Sequence, residues 1–171
     1  MHVSDEARYR LRLAEGFMEE AGQDVALQRW RSCVDNSQLA TENAAKAVLA
    51  LLGPVGRTHD PATQLRQALE RGECPDSTRG NIERLAECAE LLGSDVHIQS
   101  DYGDEAVGQT PWELFDESAA RQALSLAGEA LRLEPKRCSR HNGTTPAHES
   151  RGRPNRTSCI LAANCAIIIT A

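Results

Sequence analysis

Four side chains in this sequence are of a type, and in a position, to meet a phosphate: Lys46, Arg57, His59 and Tyr102. Arg57 and His59 flank Thr58 just before Asp60-Pro61, a pair that sets the N-cap and first residue of a new helix. A cation and a titratable imidazole beside a helix N-terminus, with its free N–H groups and partial positive charge, suit a single anionic group. Tyr102, in the acidic stretch SDYGD, carries a ring on which a base can stack, and Lys46 is the only lysine among residues 1–133. Each also has a plainer reading. His59 can pack or bond locally ahead of its helix, Lys46 can form a solvated pair with Glu42 four residues earlier, worth a few tenths of a kcal/mol, and Asp60 competes for the helix end as its cap. No residue is assigned a catalytic role, and no metal ligand or cofactor is implied. Cys138, His141, His148 and Cys159 fit no common zinc-finger spacing, and neither a Gly-x-Gly-x-x-Gly nor a Gly-Lys-Ser/Thr phosphate loop occurs.

The elements that must position these residues are helices. Apolar residues recurring every three or four positions predict five of them, over residues 5–21, 24–52, 61–71, 80–92 and 116–133. Gly22 is expected to end the first and Asp24 to cap the second, a helix of about 40 Å at 1.5 Å per residue. Gly53, in a left-handed conformation, and Pro54 are expected to stop that long helix. Ser37 and Thr41 interrupt its apolar stripe, where a neighbouring backbone can cross closely. Residues 94–110 show no period and read as a long acidic loop, after which Trp112, Leu114 and Phe115 return the chain to the core. The expected fold is therefore all-α, an up-and-down bundle over residues 5–133.

Composition sets the limits on function. Only 4% of residues are aromatic, so alanine and leucine must fill the core. Residues 1–133 hold 13 Lys+Arg against 23 Asp+Glu, and residues 134–171 hold 6 against 2, which together give the net charge of −6. A body this acidic is a poor general binder of duplex nucleic acid and leaves room only for a local basic site. The N-terminus lacks the apolar core of a secretory signal and no run is long enough to span a membrane, so a cytoplasmic location with reduced cysteines is expected. Cys33 and Cys88 fall inside helical patterns and read as small buried hydrophobes. Residues 134–171 read as a disordered or non-native tail. The run Ile167-Ile168-Ile169-Thr170 is also what histidine codons give when read out of frame.

Three segments in order, ATENAAKAVLALLG, THDPATQL, and SDYGD with TPWELFDESAARQALSLAGEAL, resemble the HEPN domain in its small prokaryotic form, over about residues 5–133. The resemblance implies a helical bundle that is often a homodimer. It also implies work on RNA or nucleotides, commonly beside a minimal nucleotidyltransferase or within a toxin–antitoxin system. Ribonuclease members of the family carry an arginine, four to six residues, then a histidine, which pair a cation for the scissile phosphate with a general acid or base. No histidine here has an arginine at that offset, since Arg57 stands only two residues before His59 and Arg140 one step too far from His148. The expected function is therefore a non-catalytic module that binds a nucleotide, an RNA end or a partner protein. The alternatives are a metal-independent endoribonuclease with a rearranged set such as Arg57, His59, Arg79 and Arg84, and a purely structural partner.

Overall fold

A computed structural model describes residues 3–53, 55 and 59–133. Arg57 lies outside the described residues, as do the expected tail and its four candidate zinc ligands. The chain forms α1 (Val3–Ala26), α2 (Trp30–Leu52), α3 (Pro61–Glu70), a short 3-10 turn (Asp76–Thr78), α4 (Arg79–Leu91), α5 (Ser94–Tyr102), α6 (Pro111–Leu114) and α7 (Glu117–Leu133). Among the described residues there is no strand, and the all-α bundle expected from the periodicity is what forms.

α2 is the axis, in contact with each of the other helices. Alanine makes this possible: Ala40, Ala44, Ala45 and Ala47 of α2 are fully buried, as are Ala14 and Ala21 of α1 and Ala120, Ala127 and Ala130 of α7. Small side chains let helix axes approach towards the lower end of the usual 8–10 Å range. One apolar cluster gathers around the C-terminal half of α2, where Val48 and Leu49 meet Leu65, Leu69, Ile82 and Leu85. A second gathers around its N-terminal half, with Cys33 and Val34 beside Ala21, Leu92, Ala120 and Ala123. Burial pushes the Cys33 and Cys88 thiols up, so both stay protonated and serve as small hydrophobes. Ser37 and Thr41 are fully buried, Thr41 donating to the Ser37 carbonyl within α2 at 2.9 Å; the contact with α7 is made one turn earlier, where the Cys33 thiol donates to the Ala120 carbonyl at 3.5 Å.

Three local expectations are corrected. α1 does not end at Gly22 but runs to Ala26, because a glycine inside a helix costs only about 1 kcal/mol, which packing against α2 offsets. The turn comes at Gln28, in the left-handed region with φ 55°. Arg29 N–H bonds the Asp24 carbonyl there and Gln28 N–H the Val25 carbonyl, a Schellman closure without the usual glycine. Asp24 accordingly caps nothing; it is a buried residue of α1 that accepts from Asn36 at 2.8 Å and pairs with Arg29 at 2.7 Å. Gly53 ends α2 in extended backbone, φ 172°, and not in the left-handed conformation expected of it.

The largest difference lies in residues 94–110. Most of this stretch is helix, α5, whose residues follow no amphipathic period and of which only Ser100 is fully buried. Polar anchors from α2 hold it. Arg31 bonds the Ser100 carbonyl and pairs with Asp101 at 2.8 Å, and Ser100 Oγ donates to Asp35 at 3.2 Å. α6 follows, started by a capping box in which Thr110 and Glu113 bond reciprocally. That box buries Pro111 and turns its neighbour outward: Trp112 is 76% exposed and does not pin the chain, a task left to Phe115 in the N-terminal apolar cluster.

α3 begins where its sequence indicates, with Pro61 at its first position and Asp60 accepting from Thr63 N–H at 3.1 Å. Hydrogen bonds from the Thr63 side chain, then from its backbone, hold the Asp60 carboxyl below the usual range. A lowered folded pKa means this stabilisation is present above the unfolded carboxyl value of about 3.9 and is lost as the pH falls through the lower folded one. Asp60→Ala is expected to cost about 1 kcal/mol at pH 7. The difference from the parent should shrink below pH 4, as followed by urea melts across that range; a constant difference would show that the cap is not the cause.

Candidate functional site

The polar residues of α2 form a stripe of their own. Arg31, Asp35, Gln38, Glu42 and Lys46 follow one another at steps of four, three, four and four, which puts them along one face of the helix. From Gln38 onward this face is covered, while Arg31 and Asp35 at its start are half-buried. Residues 40–50 are buried without a break, and Glu42 and Lys46 are 8% and 7% exposed. The solvated pair expected of Glu42 and Lys46 is thus a buried one: Lys46 Nζ donates to Glu42 Oε1 at 2.6 Å, while Gln38 Nε2 donates to Glu42 Oε2 at 3.1 Å. Burial follows from the position of α2 at the bundle axis, where a stripe that turns from one neighbour meets the next.

His59 arrives at this seam from the loop before α3. Its Nδ1 stands 3.9 Å from Glu42 Oε2, the same oxygen that Gln38 bonds, and its side chain is 79% exposed. His97 of α5 lies parallel to it, with ring centroids 6.2 Å apart and an interplanar angle of 5°. His97 Nδ1 in turn lies 4.0 Å from Asp35 Oδ1, beyond hydrogen-bond reach, so that this buried nitrogen and Gln38 Oε1 have no hydrogen-bond partner. The arrangement is a pair of stacked imidazoles, each with a carboxylate of α2 close to its Nδ1.

Of the four residues singled out from the sequence, the structure therefore brings two together, Lys46 and His59, through the shared carboxylate of Glu42. Tyr102 is not among them. It follows His97 by five residues on α5, about 140° further round the helix, and lines a separate surface with Ile98. Sequence reasoning missed Asp35, Gln38, His97 and Ser100. The first two were discoverable, because their three- and four-residue spacing to Glu42 and Lys46 is a helical period written in polar residues. Among the described residues no group of three or more His, Cys, Asp or Glu side chains is placed to hold a metal ion. No helix among them is long and apolar enough to cross a membrane.

A helical bundle with a polar, histidine-capped seam along its central helix is the class of protein these observations define. The family model for the HEPN domain matches residues 7–137, and the chain belongs to that family, whose members are often but not always catalytic. No curated protein matches it.

Proposed function

We propose that this chain is a non-catalytic binding module, the HEPN half of a two-component system with a minimal nucleotidyltransferase or of a toxin–antitoxin pair. In this reading it is a cytoplasmic homodimer whose site at the end of the α2–α3 hairpin receives a nucleotide or RNA end. The observation that carries the reading is the state of the cations. Arg84 is held bidentate by Glu129 at 2.8 Å and by Glu87 at 2.8 Å, which raises its pKa further. Arg79 donates to the Leu69 carbonyl and pairs with Glu83, and Lys46 is committed to Glu42. A rearranged ribonuclease site built on Arg79 and Arg84 would have to break these bonds first. His59, at the mouth of the seam, is 79% exposed and open to an anion, with Arg57 two residues before it in the chain.

Binding at such a site is weak and falls with added salt. Calorimetric titration of AMP into the parent and into Arg57→Ala/His59→Ala tests this. Heat from the parent that is lost in the double variant and reduced by salt is expected; equal heats from both would place the site elsewhere. Cleavage of a labelled single-stranded RNA by the parent but not by His59→Ala would establish the enzymatic reading instead.

A further inference from the structure

Between Ser94 and Glu117 the chain carries seven acidic residues and not one lysine or arginine. The same stretch holds most of the large apolar side chains that the body leaves in water: Ile98 (53% exposed), Tyr102 (67%), Val107 (68%) and Trp112. Ile98 and Tyr102 stand four apart on one face of α5, the face turned away from Ser100 and its anchors. Together with Gln99, Gly103, Asp104 and Glu105 they line an open cavity of about 370 Å³. The floor is held in place. Arg31 fixes the end of α5 through Asp101 and the Ser100 carbonyl, and the turn that follows is closed by paired backbone bonds, Asp104 N–H to the Gln109 carbonyl at 2.9 Å and Gln109 N–H to the Asp104 carbonyl at 3.0 Å.

We propose that this α5–α6 surface is a docking site for a basic segment of another protein, one that seats a large apolar side chain between Ile98 and Tyr102 and sets lysines or arginines against Asp104 and Glu105. Charge selects this occupant. Nucleic acid and anionic membranes would bring phosphates to a surface with no cation to receive them, and a second copy of the same face would set its acids against their like. Apolar anchors supply affinity, and the acidic rim supplies orientation and on-rate. The site does not involve His59 or Arg57, so it stands or falls separately from the nucleotide reading.

The test uses the full chain and, as probe, a helix-forming peptide of leucine and lysine alone, with binding followed by fluorescence anisotropy. The parent should bind it. Ile98→Ser/Tyr102→Ser, which changes only exposed side chains and should leave the circular dichroism unchanged, should weaken binding about tenfold or more. Asp104→Asn/Glu105→Gln should weaken it and flatten its salt dependence. A peptide of equal charge with serine in place of leucine should bind about tenfold more weakly. No binding by the parent, equal binding of the two peptides, or full binding by the serine variant would overturn the proposal. So would a single-stranded oligonucleotide that binds the parent and is lost in the same variant, since that would make the surface a nucleic-acid site.

Discussion

Lys46→Met is expected to destabilise the bundle by about 3–5 kcal/mol, because it removes one partner of a buried ion pair and strands the other. Glu42 would keep only Gln38 as a close donor, at a position 8% exposed to solvent. In a domain of this size such a loss lowers the thermal midpoint by on the order of 10 °C or more. The companion variant Glu42→Gln/Lys46→Met should recover most of the loss, since a neutral amide and a thioether of similar volume leave no charge behind. Arg121→Ala is the control. It breaks a pair with the same four-residue spacing, Arg121 to Glu117, that is more than half exposed, and should cost under about 0.5 kcal/mol. Melts of the four proteins decide the point: a Lys46→Met midpoint no lower than that of Arg121→Ala would mean that the pair is solvated and that the seam is open to water.

Gly103→Ala is expected to cost about 3 kcal/mol, the upper end of what a strained backbone conformation stores, because two penalties fall on one residue. Gly103 has φ 76° and ψ −152°, a region open almost only to glycine. A Cβ built there would stand 2.1 Å from the Gln109 carbonyl oxygen and 2.9 Å from the Thr110 carbonyl carbon, backbone atoms that cannot step aside as a side chain would. Relief requires opening the Asp104–Gln109 turn. Hydrogen exchange should then accelerate at the Asp104 and Gln109 amides, while α2 and α7 keep their protection. Gly108→Ala provides the comparison, with φ 72° but open space around the new methyl group, and should cost only about 1–2 kcal/mol. Equal losses from the two substitutions would show that conformation alone, and not the close approach of residues 109 and 110, makes Gly103 necessary.

The sequence by itself determined which segments are helices wherever an apolar period runs between recognisable stops. Asp60-Pro61 starts α3, Gly93 follows α4, and Asp116 opens α7 by accepting from Ala119 N–H at 2.8 Å. It also determined the class of the core, since a chain so poor in aromatics has little but alanine and leucine to pack. α5 was illegible because its residues carry neither an apolar period nor a side-chain cap at its start. Its helix is held by Arg31 and Asp35, which reach it from 69 and 65 residues earlier. The site divides in the same way. Glu42 and Lys46 announce their pairing by spacing, but that spacing is the same as that of Glu117 and Arg121, and only the packing around α2 makes one pair buried and the other solvated. Nothing in the order of residues places His97 against His59, 38 positions away, or turns Tyr102 to the opposite side of their helix from the seam. Period reports which face of a helix is apolar. What a polar face meets depends on which neighbours stand beside it, and for α2 these include His97 of α5 and His59 just ahead of α3.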